Sequence, residues 1–167
     1  MTIGEVRRVN LPAFTVIGKE GKGLAQDGSS WVPPLWEIVN EKIIEVAEEV
    51  ATEPASIHLW GLMSDEEVWL APWNEVGRYL AGIAVPAATP VPEGWQKWEM
   101  PAMSYLVVKT NSENLASMTE EMLAVILPKE QAILSAAIQE HYLPEFEDGE
   151  VELYFPVAYS QQTEERK

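Results

Sequence analysis

Met100-Pro101-Ala102-Met103-Ser104-Tyr105-Leu106 lies over Leu11-Pro12-Ala13-Phe14-Thr15-Val16-Ile17, and this overlay decides the fold. Each aligned pair is identical or similar in character, and Arg8 coincides with Lys97 upstream. Both stretches are apolar, rich in β-branched or aromatic residues and interrupted once by proline, as a strand passing a proline would be. A chain of 167 residues that writes this pattern twice reads as one domain made of two repeats.

Working outward, residues 6–19 read as a strand, which Gly21-Lys22-Gly23 breaks. Pro33 and Pro34 stand where a helix begins, a place that tolerates proline. Leu35, Val39, Ile43, Val46, Ala47 and Val50 then recur at helical spacing, with glutamates between them. Residues 56–63 and 78–85 read as strands, and residues 86–94 as a proline-rich bridge. In the second half, a helix is expected over 115–127, with Met118, Met122, Leu123 and Ile126 as its stripe. Pro128 breaks or kinks it, and Ile133, Leu134, Ala137 and Ile138 suggest further helix. Asp148-Gly149 is a turn, and residues 150–157 are the last strand.

The order strand–helix–strand–strand therefore occurs twice. One β-α-β-β unit cannot easily bury both its helix stripe and its sheet face. Two joined edge to edge give an α+β fold, one antiparallel sheet with a central ligand groove along the seam. The expected organisation is a single domain over 1–160, with repeats 1–88 and 95–160, and a polar tail over 161–167.

Charge narrows the function. Eleven basic residues oppose 27 acidic ones, for a net charge of −16. Such a chain repels phosphate, so direct nucleic-acid binding and anionic membranes are not expected. No apolar run reaches bilayer length, and Val9-Asn10-Leu11-Pro12 is no signal-peptide core. With no cysteine there is neither a disulfide framework nor a cysteine–zinc site. The two histidines, His58 and His141, form no metal motif, so no metal and no cofactor are expected. A soluble cytoplasmic protein is the default expectation.

Two groups of residues carry candidate chemistry. In the last strand, period two puts Val151, Leu153, Phe155 and Val157 on one face, and Glu152 and Tyr154 on the other. An acid beside a phenol suits reading a cation or positioning a water; an ordinary solvent-facing strand side has the same pattern. The seven tryptophans are the second group. Trp31, Trp36, Trp60, Trp69 and Trp73 fall in the first half, where they suit either core packing or a pocket for flat apolar molecules. Tyr79 and Tyr105 extend the aromatic set.

Trp60-Gly61-Leu62, Tyr79-Leu80-Ala81-Gly82-Ile83, Val91-Pro92-Glu93-Gly94 leading to Met100-Pro101-Ala102, and the closing Glu152-Leu153-Tyr154-Phe155-Pro156-Val157 run in order along the chain. Together they resemble the GyrI-like effector-binding family, related to the ligand domains of multidrug-sensing transcription regulators. The resemblance implies a duplicated β-α-β-β fold whose groove takes small, often aromatic and cationic molecules. It also implies a groove-facing glutamate in the C-terminal strands, a role for which Glu152 competes with Glu145 or Glu147. Trp31-Val32-Pro33-Pro34-Leu35-Trp36 resembles a Trp-rich branch of that family. Some members of that branch hydrolyse the strained cyclopropane of DNA-alkylating natural products. That likeness implies catalytic roles for Glu152 and Tyr154. No helix-turn-helix region precedes the first strand, which suggests a domain that acts alone or through a separate partner.

The leading expectation is a stand-alone protein that binds planar, hydrophobic xenobiotics, cationic ones among them, with aromatic rings around an acidic anchor. A cyclopropanoid hydrolase and a protein-partner regulator, such as a topoisomerase modulator, are the alternatives.

Overall fold

A computed structural model describes residues 5–49, 58–143, 146 and 149–159. The side chains of residues 43, 44 and 46–49 lie outside this description, so of the first helix stripe only Leu35 and Val39 can be placed.

Eight strands follow one path: β1 (Val6–Leu11), β6 (Met103–Asn111), β9 (Glu150–Tyr159), β8 (Gln139–Tyr142), β3 (Leu59–Asp65), β4 (Val76–Val85), β2 (Phe14–Leu24) and β5 (Gln96–Met100). A ninth, β7 (Ala132–Leu134), pairs with the end of β9. Every pairing is antiparallel. With the helices this is the expected α+β fold. The order reads alike from both edges when β1 exchanges with β5, β6 with β2, β9 with β4 and β8 with β3. The midline falls between β3 and β8. Each proline-bearing stretch carries the chain from an edge strand into the next strand, at Leu11 to Phe14 and at Met100 to Met103.

Three sequence expectations change. Residues 6–19 are not one strand: the chain breaks at Pro12 into β1, paired with β6, and β2, paired with β4 and β5 on the other side of the sheet. Gly21 and Gly23 do not end β2, which runs on to Leu24 against β4. Their missing side chains are where Leu35 and Trp31 lie: an added Cβ would come within 2.7 Å of Leu35 and 2.6 Å of Trp31. The apolar spacing of Ile133, Leu134, Ala137 and Ile138 is not a helix. Pro128 has no N–H, and the turn before it widens to a π-turn at Met122–Ile126. Gln131 then adopts φ 58°, which ends the helix. β7 and β8 follow as strands on β9. A short apolar run fits either period, and pairing to a neighbour decides between them.

The sheet has two unlike faces. One carries α1 (Gly28–Trp31), α2 (Pro33–Glu49) and α3 (Leu115–Glu121). Here Val39, Tyr79 and Ala81 pack with Leu35, Trp36 and Met63. Leu106, Val108, Leu153 and Phe155 pack beneath Leu115, Met118 and Met122. The other face holds Val16, Trp60, Leu62, Leu80, Trp98, Tyr105 and Tyr154 in a continuous core.

Candidate functional site: a groove at the sheet midline

The groove follows from the parity of four strands. Residues directly opposite in antiparallel neighbours share a face. Met63 lies opposite Tyr79, Gly61 opposite Glu140, and Glu140 opposite Leu153. These residues therefore point to the helix side, where the first-half and second-half helices leave the midline uncovered. Two adjoining cavities of about 420 and 610 Å³ open there. Met63, Leu115 and Glu140 line both. Val32, Pro33, Trp73 and Tyr79 complete the first. Ala116, Thr119, Glu120, Leu123, Ile138 and Leu153 close the second.

Glu140 is the polar centre of this largely apolar trough. The Tyr79 hydroxyl donates a short hydrogen bond to its Oε1, and the Tyr142 hydroxyl donates to the same atom at 3.1 Å. Trp36 Nε1 donates to the Tyr79 hydroxyl at 2.8 Å, and Trp36 meets both tyrosine rings edge-on. Gly61 makes room for this assembly, since a Cβ there would collide with the Tyr79 hydroxyl and Glu140 Oε1. Burial pushes the Glu140 carboxyl above the usual range, against the pull of its two phenol donors. Burial also raises both phenols, and the Glu140 charge raises them further.

The residues expected to form the site divide between the two faces. Trp73 and Tyr79 line the groove; Trp36 backs Tyr79 and, with Asn40, Leu59 and Tyr142, lines a further cavity of about 240 Å³. Trp31 stacks on Trp73 with ring centres 5.3 Å apart. Trp60, Tyr105, Glu152 and Tyr154 lie on the opposite face. Trp69 is exposed and meets Trp98 edge-on. Glu145 and Glu147 lie outside the described residues.

Glu152 has its own partners there. It accepts from Arg7 Nη1 at 3.0 Å and from His141 Nδ1 at 2.8 Å, and His141 Nε2 meets His58 Nδ1 at 2.9 Å. Burial pushes the Glu152 carboxyl up, but these hydrogen bonds and charges outweigh it and hold it below the usual range. Burial raises the Tyr154 hydroxyl, and the Glu152 charge adds to the rise. Among the described residues, no group of three or more metal-ligating side chains converges.

Glu140 and Tyr142 were not expected from the sequence. Their signal is Gln139-Glu140-His141-Tyr142, in which an acid and a phenol two apart share one strand face. A helical reading of the preceding residues hides that parity.

Residues 4–158 match the family of GyrI-like small-molecule-binding domains. The chain belongs to this family. The GyrI-like domain is 26% identical over 159 residues to the transcriptional regulator BrlR of Pseudomonas aeruginosa. The match covers 90% of this chain and 54% of that protein, so the chain spans about half the length of the curated relative. Among solved structures, it resembles SAV2435 bound to tetraphenylphosphonium, with TM-score 0.69 and 11% identity over 98% of this chain and 99% of that one. The EcmrR C-terminal domain aligns with TM-score 0.59 and 13% identity, over 93% and 97% of the two chains. A hydrolase from Listeria innocua aligns with TM-score 0.53 and 12% identity, over 92% of each chain. Structural likeness at these identities speaks to the fold. Among the described residues, no helix is long and apolar enough to cross a membrane.

Proposed function

We propose that this GyrI-like domain binds planar, hydrophobic cations, xenobiotics among them, in the midline groove, with Glu140 as the acidic anchor. The observation that carries the reading is a half-buried carboxylate, Glu140, in a largely apolar trough that has one further, exposed acid, Glu120, on its wall and no basic side chain among the residues lining either cavity. An ionised acid in such a place calls for a positive partner. The apolar walls and Trp73 supply area for a flat ring system. The ligand of SAV2435, tetraphenylphosphonium, is itself a hydrophobic cation.

Hydrolysis has less support. The acid and phenol that the family resemblance offered, Glu152 and Tyr154, face away from the groove, and Glu152 is already engaged by Arg7 and His141.

Tryptophan fluorescence tests the binding reading, because Trp36 and Trp73 adjoin the groove. Titration with planar cationic dyes should quench emission and saturate. Glu140→Gln should weaken the cationic dyes by about 10-fold or more and leave an uncharged analogue near its wild-type affinity, since hydrogen bonds to charged groups contribute roughly 1.5–3 kcal/mol. No saturable response to any dye in a broad panel would overturn it.

A further inference from the structure

We infer that the groove prefers cations that carry an N–H, such as protonated amines and amidines, over quaternary cations of matched size, because Glu140 keeps one carboxylate oxygen open as a hydrogen-bond acceptor. The inference rests on the groove reading above and deepens it by naming the ligand's donor.

Three observations carry it. Oε1 is saturated, with the Tyr79 and Tyr142 hydroxyls both donating to it. Oε2 takes no donor from the described residues and is not among the buried polar atoms left without a partner. It is therefore not sealed from solvent, and Glu140 lines both cavities. The aromatic rings around the acid, finally, do not form a cage. Tyr79 and Tyr142 turn their hydroxyls to Glu140, Trp36 packs edge-on against both rings at 75° and 73°, and Trp73 is stacked on Trp31. Quaternary cations are held best by several aromatic faces converging on one point; here Trp73 has one face on Trp31, and the two tyrosines present hydroxyls to the acid.

The consequence is a difference in approach. An N–H donor can come within about 2.7–2.9 Å of a carboxylate oxygen in a charge-assisted hydrogen bond. A quaternary centre is fenced by carbon, and its C–H groups stop at C···O distances of roughly 3.3–3.6 Å, with weaker contacts.

The test compares two probes by calorimetry at pH 7: protonated N,N-dimethyl-1-naphthylmethylamine and its N-methyl quaternary salt. The wild-type protein should bind the protonated amine about 10-fold more tightly. In Glu140→Gln, which keeps the shape and carries each probe's own desolvation cost, the two affinities should fall within about 2-fold. Equal binding of both probes to the wild type, or a preference that survives in the variant, overturns the inference and leaves the cation-binding groove standing. Binding of neither probe overturns both readings. Should the variant not fold, the wild-type comparison alone decides.

Discussion

Replacing Gly61 with alanine puts one methyl group where the groove has no space. The new Cβ would overlap the Tyr79 hydroxyl and come within 2.7 Å of Glu140 Oε1. Neither neighbour is free to yield. Tyr79 is 1% exposed and is held by Trp36 and Glu140. Overpacking a filled site costs about 1–3 kcal/mol. Losing the Tyr79 hydrogen bond to a charged acceptor costs about 1.5–3 kcal/mol more. A destabilisation of about 2.5–6 kcal/mol is expected, a large share of the roughly 5–15 kcal/mol that holds a domain together. Urea unfolding followed by tryptophan emission measures it, and a dye titration in the folded range reads the groove. Gly21→Ala is the control: its Cβ meets the end of the Leu35 side chain, which can shift, so the cost should stay nearer 1 kcal/mol. A Gly61→Ala loss below about 1 kcal/mol with unchanged dye affinity would refute the crowding at the midline.

Two further predictions concern the acids. Because burial raises the Glu140 carboxyl, the folded state holds its proton to higher pH than the unfolded chain does. Its contribution to stability is then full below the ordinary carboxyl range and is lost as pH rises through the raised value. Melting temperatures across pH 4–8 should show this decline in the wild type and not in Glu140→Gln, which should be at least as stable at pH 7; a less stable variant with the same pH slope would contradict it. Glu152 has the opposite sign: its lowered carboxyl stabilises the fold above the ordinary range, and that contribution is lost as pH falls through the lowered value. Glu152→Ala should therefore cost about 2–4 kcal/mol, by removing the carboxylate that Arg7 and His141 share, yet shift groove affinity by less than about 2-fold. A large affinity loss in a folded Glu152→Ala protein would argue that the two faces are coupled.

Much of the fold was legible because it rests on patterns that local sequence carries. The alternation in β9 does put Val151, Leu153 and Phe155 in one core and Tyr154 in the other. What the alternation does not say is which face the helices leave open at the midline. An acid and a phenol on one strand face look alike whether they meet a ligand or, as with Glu152, an arginine and a histidine. Glu140, the acid proposed as the anchor, sits on a strand of four residues, too short to announce its period, after a stretch whose apolar spacing mimics a helix. The tryptophans are ambiguous for a related reason. Area and aromaticity are the same in core and pocket, so Trp60 in the core and Trp73 in the groove differ only in the face their strands and loops assign them.

The exchange of edge strands has a mechanical meaning. β1 belongs to the first half of the chain but is bonded to β6 of the second, while β5 belongs to the second half and is bonded to β2 of the first. Each half thus clasps the other at its outer rim as well as at the β3–β8 joint. A cut in the connection between β4 and β5 would not release two independent pieces, since each fragment would lack an outer strand and offer one in return. The groove lies at the centre of this clasp. Spreading the β3–β8 joint would work against the pairings at both rims, so the joint is braced by strands far from the residues that line the groove.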